Sequence, residues 1–489
     1  MYRSLSFRPA VLFVAVMIVL ILESCGGATI TPKGAAVEST LFLEDVYEFR
    51  VADIPGGSYA VVRAAPDGYG QVVEGYNERL TLAWRHLIPY TRHRENHPLW
   101  LVGSAAGVML IHDRDEEDDS LSIHGMVFDP GDGTVRSDRF LTGFTSGVES
   151  ERFSAPRLVY SPDSSRFVIY RYDYGKLADD GRRKIRLLAE LFDIGLSYRG
   201  GGVIEIPVHD RIDDAEDAEN FVQTFFVAND GHAYQVSYHG KSTMRVTQLD
   251  FSTGATRMLE QEIPTFNLLE ESNWFYETTK WTGSGQELIV AATRVKYGEL
   301  LGVALVGMDF GRNQVEYVNL VQVTEPLARR LIDEKELRGF WLRDIIRTAD
   351  GVTILPLEQK STFTDKNGFA GRNEYYVHED VLILGFDSHG KSLWMSAQNR
   401  PEARTTLTDY RSDSWRIDGD SVRFIYQDED LDGLAAGAIS IRNGSFSTPR
   451  LLIETSMDVE YRFTKWLGRN NALIVLSSGQ DFRLVRFHY

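Results

Sequence analysis

The chain of 489 residues contains a single cysteine, Cys25. A lone thiol excludes an internal disulfide framework and a zinc site built on several cysteines. The sequence also lacks a Gly-x-Ser-x-Gly nucleophile elbow, a P-loop, a dinucleotide-binding glycine fingerprint and a His-Glu-x-x-His zinc-protease motif. Paired carboxylates remain open as an enzymatic option, but 70 acidic residues make any chosen pair uninformative.

Basic residues are fewer than acidic ones. Lysine and arginine number 52 against those 70 acidic residues, which gives a formal net charge of −18. Phosphate backbones are bound through basic surface and counterion release. We therefore expect no nucleic-acid partner, and the charge itself suits a soluble domain of large size.

Long apolar runs are scarce as well. The longest, Val11 to Leu22, has 12 residues and follows Arg3 and Arg8. A membrane-spanning helix needs about 20 apolar residues, so this run is too short to span. A basic start, a short apolar core and a small residue at Ser24 predict a cleaved signal peptide over residues 1–24.

The only cysteine follows that segment directly. Leu22-Glu23-Ser24-Cys25 resembles the lipobox of bacterial lipoproteins, with leucine three residues before the cysteine and a small residue just before it. Glu23 departs from the pattern, which usually has a small or apolar residue there. The resemblance implies that Cys25 is acylated, palmitate included, and becomes the first mature residue; the alternative is an ordinary signal peptide. Several acyl chains on one residue would anchor the chain stably in a membrane.

Small and polar residues follow the cysteine and predict a flexible tether over residues 25–39. We expect residues 40–489 to form the folded domain. The implied location is the bacterial cell envelope, at the outer membrane, with the periplasmic and surface faces both open.

The remainder of the sequence predicts an all-β fold. Aromatic and β-branched residues alternate with polar ones in short segments, separated by Asp-Gly and similar turns. Such segments include FVIYRYDY (167–174), ELIVAATRV (287–295), DVLILGFD (380–387) and NALIVLSS (471–478). An Asp-x-x-Gly or Asp-Gly turn recurs between strands at distances that suit blades of about 40 to 50 residues. We therefore predict a β-propeller of six to eight four-stranded blades. Polar runs at 113–120, 176–184, 209–220 and 360–373 are expected to be loops.

Several segments are similar to a family of uncharacterised β-propeller lipoproteins of Bacteroidota. They are SAPRLVYSPDSSRFVIYRYDY, GELLGVALVGMDF, KELRGFWLRDIIRTADGVTILPLEQKSTFT, NEYYVHEDVLILGFDSHGKSLW and DSVRFIYQDEDLDG. The resemblance implies the propeller fold and the envelope location, and it brings no assigned activity. The chain departs from the family after Trp394, where MSAQNRPEAR replaces the usual Pro-Lys-x-Gln element.

Three carboxylates at alternate positions, Asp428, Asp430 and Asp432, precede Gly433. This pattern resembles the first half of a calcium loop, because a hard cation prefers several oxygen ligands and the glycine allows a sharp turn. The twelfth position is Ile439 where a bidentate glutamate is expected. A solvated acidic loop is therefore the favoured interpretation, and no other cofactor is expected.

FDSHGKSLW resembles one tryptophan-docking repeat of quinoprotein propellers, and it is nearly the only such copy in the sequence. We expect its tryptophan, Trp394, to be a packing residue. With no catalytic signature, the sequence favours a non-catalytic envelope protein that binds a protein or a polysaccharide. The alternative is a carbohydrate-active hydrolase with carboxylates at the propeller channel.

Overall fold

The structure is a computed structural model. It describes residues 31–32, 36–43, 49–65, 70–89, 96–104, 106–115, 121–144, 153–154, 156–175, 185–206, 222–239, 243–262, 277–282, 287–296, 299–323, 337–365, 373–398, 403–405, 413–428, 433–459, 465–466, 471–478 and 481–488. Every regular element within these ranges is a β-strand. None of the described residues forms a helix with the length and apolar character that crossing a bilayer requires.

Two strands, β1 (Thr31–Pro32) and β2 (Ala36–Leu43), precede the first blade. The strands of blades 1 to 4 follow in chain order. Blade 1 comprises β3 (Arg50–Ile54), β4 (Ser58–Ala64), β5 (Gly70–Tyr76) and β6 (Leu82–Pro89). Blade 2 comprises β7 (Asn96–Ser104), β8 (Gly107–Asp115), β9 (Leu121–Phe128) and β10 (Val135–Phe144). Blade 3 comprises β11 (Arg157–Tyr160), β12 (Arg166–Asp173), β13 (Ile185–Asp193) and β14 (Tyr198–Ile206). Blade 4 comprises β15 (Val222–Val227), β16 (His232–His239), β17 (Thr243–Asp250) and β18 (Ala255–Glu262).

Blades 5 to 8 continue the series. Blade 5 comprises β19 (Glu277–Thr282), β20 (Glu287–Lys296), β21 (Glu299–Asp309) and β22 (Gln314–Gln322). Blade 6 comprises β23 (Phe340–Leu342), β24 (Ile346–Arg347), β25 (Thr353–Asp365), β26 (Asn373–Phe386), β27 (Ser392–Gln398) and β28 (Ala403–Thr405). Blade 7 comprises β29 (Asp413–Asp418), β30 (Ser421–Asp428), β31 (Gly433–Ser440) and β32 (Arg450–Glu454). Blade 8 comprises β33 (Asp458–Val459), β34 (Lys465–Trp466), β35 (Asn471–Ser478) and β36 (Asp481–His488).

The eight sheets form the ring of a β-propeller, which confirms the predicted fold class and a blade count at the upper end of the predicted range. Neighbouring strands pair in an antiparallel meander, and two blades have interrupted edges. In blade 6, β23 and β24 share the partner β25. In blade 8, β33 and β34 share the partner β35.

The ring is closed by an early strand. The fourth strand of blade 8 is β2, in which Ala36 lies opposite His488 and Leu43 lies opposite Phe482. The short strand β1 extends blade 7, with Thr31 opposite Glu454. Residues 36–39, which were expected in the tether, therefore belong to the propeller, because they supply backbone hydrogen bonds to the edge of β36.

Antiparallel pairing gives the ring two different faces. In each blade, the first-to-second and third-to-fourth strand turns lie on one face, which we call the turn face. The second-to-third connections and the crossings to the next blade start and end on the opposite face, the loop face. Of the four polar runs expected as loops, two were partly wrong: residues 113–115 belong to β8, residues 360–365 to β25 and residue 373 to β26, because these strands extend further than their apolar patterns indicate. The other residues of the four runs lie outside the described part of the chain.

The core lies between blades rather than within them. Buried and partly exposed residues alternate along β13, as expected for a strand. At the junction of blades 4 and 5, Tyr234 and Val246 pack with Phe310 and Leu288 in one apolar cluster. Because each sheet buries both faces against its neighbours, the ring is stabilised by burial of apolar surface at every blade junction where such clusters are described.

Candidate functional site

The turn face carries a recess over blade 4. One cleft of about 520 Å³ lies between blades 3 and 4, and a second of about 430 Å³ lies between blades 4 and 5. His232 and Asp250 line both clefts. We call the two clefts together the blade-4 trough; it is lined by Ser165, Arg166, Leu191, Asp193, Arg199, Asp230, Gly231, His232, Gln248, Asp250, Phe251, Ser252, Thr253, Ala255, Arg257 and Phe310.

A tight turn positions His232 in the trough. The turn between β15 and β16 ends at Gly231, whose φ of 92° favours glycine. Asp230 accepts a hydrogen bond from the backbone N–H of His232 at 3.0 Å, and its Oδ2 lies 3.0 Å from the imidazole Nδ1. The hydrogen bond to Asp230 raises the pKa of His232, with further support from the charge of Asp250, and both effects outweigh burial, which lowers it.

The second shared residue, Asp250, begins the turn between β17 and β18. It accepts hydrogen bonds from the backbone N–H of Ser252 at 2.8 Å, from the hydroxyl of Ser252 at 2.7 Å and from the hydroxyl of Thr253 at 2.9 Å. The hydroxyl of Ser252 is the main reason that the pKa of Asp250 falls to about 2. This carboxylate is therefore ionised at any physiological pH, which suits binding and not proton donation.

Arginines bring the opposite charge to the same recess. Arg166 donates to the carbonyl of Asn229 and so joins blade 3 to the turn of blade 4. Arg199 donates through Nε to Asp193 at 2.8 Å. Arg257 is exposed beside the second cleft. The trough thus presents both signs of charge within one concave surface, which suits a ligand with several polar groups.

The hydroxyls that line the trough are held by carboxylates. Ser165 donates to Asp163 at 2.8 Å, and Ser252 donates to Asp250. A nucleophilic serine would instead donate to a histidine base. The described residues of the trough therefore offer recognition groups and no nucleophile–base pair.

Most of the site residues predicted from the sequence lie outside the described residues. Cys25, Asp430 and Asp432 belong to this group. Asp428 is described: it is the last residue of β30, is buried and lies opposite Gly433. No group of three or more potential metal-ligating side chains gathers among the described residues. The calcium loop remains a prediction.

Tryptophan docking is more extensive than the sequence indicated. Trp394 donates through Nε1 to the carbonyl of Ile441 in blade 7 at 2.9 Å, so its packing role is confirmed. Trp84 makes the equivalent bond from blade 1 to the carbonyl of Pro130 in blade 2 at 3.0 Å. The tryptophan-docking motif therefore occurs at least twice, in blades 1 and 6, and the expectation of a nearly solitary copy was wrong. Its second copy was missed because Leu80 stands at the left-handed turn position, with φ 57°, where the recognised copy has Gly390.

The first strands of blades 2 and 3 bring two aromatic rings together. Trp100 of β7 stacks on Tyr160 of β11, with ring centroids 4.8 Å apart. Tyr160 is half exposed. The channel carboxylates of the alternative function remain a prediction.

No protein-family model matches the chain, and no curated protein matches it. Among solved structures, the chain is similar to the Dos1 propeller, with a TM-score of 0.46, 10% identity and coverage of 94% of this chain and 95% of that one. It is also similar to the quinohemoprotein alcohol dehydrogenase of Comamonas testosteroni, with a TM-score of 0.42, 10% identity and coverage of 93% and 76%. A third similar structure is prolyl oligopeptidase B of Galerina marginata, with a TM-score of 0.40, 10% identity and coverage of 90% and 56%.

Proposed function

We propose that this protein is a lipid-anchored propeller of the bacterial cell envelope that binds a protein or a polysaccharide and catalyses no reaction. The membrane anchor is Cys25, in keeping with its lipobox-like context. The binding surface is the blade-4 trough on the turn face.

The observation that carries the binding role is the state of the trough's polar groups. Asp250 is held ionised by three hydrogen bonds, and the serine hydroxyls are committed to carboxylates. Such groups are fixed in place before a ligand arrives, so little ordering is needed when it binds. Because the trough carries groups of both charges, it can bind a polar partner, and it does not strongly repel partners of either net charge.

The binding role is tested by crosslinking in cells, followed by recovery of the tagged protein. The informative variant is Arg257→Glu, which reverses one charge in the trough. Its matched control is Arg79→Glu, at an exposed arginine in a turn of blade 1 on the same face. We expect one or two envelope partners to be recovered with the unchanged protein and with the control, and to be lost with Arg257→Glu.

A different pattern would reject the proposal. Partner recovery that is equal in all three proteins would exclude the trough as the binding surface. Hydrolysis of a polysaccharide by the purified protein would favour the alternative, a carbohydrate-active hydrolase with carboxylates at the channel.

The anchor has its own test. Cys25→Ala should move the protein from the membrane fraction to the soluble fraction, because the mature chain contains no other cysteine for acylation. Membrane association that is unchanged in this variant would overturn the lipoprotein assignment.

A further inference from the structure

A smaller groove lies on the side of blade 3 that faces blade 2. Its volume is about 210 Å³, below the range of about 300 to 1,000 Å³ that is typical for sites of drug-sized ligands. We call it the blade-3 groove; it is lined by Thr142, Ile169, Tyr170, Arg171, Leu188, Ala189, Glu190, Tyr198, Gly201, Gly202 and Val203.

A glycine, Gly201, opens this groove, whereas the neighbouring Gly202 faces Leu249 of blade 4 on the other side of the sheet. Gly201 of β14 lies opposite Glu190 of β13, and Gly202 lies opposite Ala189. Because Gly201 has no side chain, the outer strand leaves the Glu190 side of the sheet uncovered. Tyr198 leans across this gap: a Cβ added at Gly201 would lie 2.7 Å from the tyrosine hydroxyl. The tyrosine is 59% exposed, so one face of a ring of this size is available to a ligand.

Polar groups lie beside the aromatic ring. Glu190 is only partly exposed and is hydrogen-bonded by Thr142 from blade 2, while the charge of Arg171 lies close to it. Burial raises the pKa of Glu190 above its ordinary value in spite of both groups. The site therefore combines a carboxyl group, a guanidinium group and a hydroxyl group with an exposed aromatic ring, at nearly balanced charge.

We propose that the blade-3 groove binds one neutral sugar ring of a polysaccharide. A pyranose ring has an apolar C–H face, which packs against Tyr198, and an edge of hydroxyls, which donate to Glu190 and accept from Arg171. The groove is open towards the outer rim of the propeller, so a longer glycan can continue on both sides of the bound sugar unit. This inference goes beyond the proposed function, because it adds a polysaccharide site that is separate from the blade-4 trough.

Saturation-transfer NMR with neutral hexasaccharides of glucose, mannose and galactose provides the test. The informative variants are Glu190→Gln and Tyr198→Ala. Their matched controls are Glu205→Gln, at an exposed carboxylate of the neighbouring strand β14, and Phe140→Ala, at an exposed aromatic residue of blade 2. Loss of a charge-assisted hydrogen bond or of the ring should weaken binding roughly tenfold or more. The controls should bind like the unchanged protein.

Gly201→Ala provides an independent variant, because its methyl group fills the groove and displaces the end of the Tyr198 side chain, while the carbonyl oxygen of Ala189, 3.3 Å away, has to shift slightly. It should abolish binding while thermal unfolding stays close to that of the unchanged protein. Binding that survives in all three groove variants would overturn the assignment. Absence of binding to every hexasaccharide would overturn it as well, and recovery of a protein partner dependent on Arg257 would leave the proposed function intact.

Discussion

At the residue scale, contacts between blades depend on glycines that leave room for tryptophan rings, and these glycines are not evident from the sequence. Trp394 lies over Gly385 of its own blade and against Gly444 of the next blade. Trp84 has the same relation to Gly75 and Gly133. Any side chain at these glycines would overlap the indole ring, so the pairs are interlocking units.

Substitutions at two glycines of blade 7 allow the cost of steric overlap to be measured apart from the cost of backbone strain. Both Gly419 and Gly444 have positive φ, at 58° and 70°, but only Gly444 contacts an indole. Gly419→Ala should cost about 1 to 2 kcal/mol from left-handed strain alone. Gly444→Ala should cost a further ~1 to 3 kcal/mol because Trp394 must move. Urea unfolding measures both, and equal costs would contradict the interlocking role.

The trough histidine predicts a pH dependence of stability. The folded pKa of His232 is raised above its unfolded value, so the charged form stabilises the fold. That contribution is complete below the unfolded pKa of about 6.5 and is lost as pH rises through the folded pKa. His232→Gln should therefore lower the thermal midpoint more at pH 5.5 than at pH 8.5. A loss that is the same at both pH values would contradict the effect of Asp230 and Asp250.

The pKa of Asp250 is shifted in the opposite direction, so its contribution to stability changes with pH in the opposite sense to that of His232. Its pKa is depressed to about 2, so its contribution is present above the unfolded value of about 3.9 and is lost as pH falls through about 2. Asp250→Asn should reduce stability at pH 6, and the difference from the unchanged protein should shrink at pH 2. Asp387→Asn is a matched control in blade 6, because Asp387 begins the equivalent turn and accepts from the N–H of His389. Thermal scans at both pH values provide the measurement.

At the scale of elements, local sequence predicted the strands and their turns well. Asp-initiated turns ending in glycine, DFSTG in blade 4 and DSHG in blade 6, join third to fourth strands, and in each the carboxylate accepts the backbone N–H two residues later, at Asp250 and at Asp387. The segments FVIYRYDY and NALIVLSS, which were predicted as strands, coincide closely with β12 and β35. Residues 36–39, the first half of β2, were assigned to the tether, because AAVES has little apolar patterning and its pairing partner lies at the far end of the chain.

The trough could not be predicted in the same way. His232 follows an Asp-Gly turn like several others in the sequence, and Asp250 lies 18 positions later with no motif linking the two. Their proximity arises from the pairing of His232 with Asp250 across β16 and β17. Register of this kind is set by burial along whole strands, which no short motif encodes.

Removing the closing strand should have a large effect. Deletion of residues 1–43 removes β1 and β2 and leaves an unpaired edge on β36, whereas deletion of residues 1–30 keeps both strands. The longer deletion should unfold at lower urea concentration and aggregate more readily, because an exposed strand edge can pair with other chains. Equal urea midpoints for the two deletions would show that blade 8 does not need β2.

At the scale of the whole molecule, the position of β1 orients the ring. Thr31 lies opposite Glu454, at the loop-face end of β32, so the chain enters the ring from the loop face. Five residues, 26–30, lie between Cys25 and Thr31, so these two residues are at most about 20 Å apart. An anchor at Cys25 would therefore hold the loop face towards the membrane and leave the trough facing away from it.

This orientation is measurable with lipids that carry a quencher. Ser456 and Thr448 are both exposed and lie at the two ends of β32, on the loop face and the turn face respectively. A fluorophore on Ser456→Cys should be quenched in vesicles more strongly than one on Thr448→Cys. Equal quenching, or the reverse order, would contradict the orientation.

The pairing of β2 with β36 also sets an order of events in time. Residue 36 leaves the ribosome long before residue 488, yet each is the other's partner. The ring therefore cannot shut until the last strand arrives, and β2 must wait as an open edge while seven other blades assemble. If the anchor is attached early, that waiting strand is already held beside the membrane, where the returning C-terminal strand has a smaller volume to search.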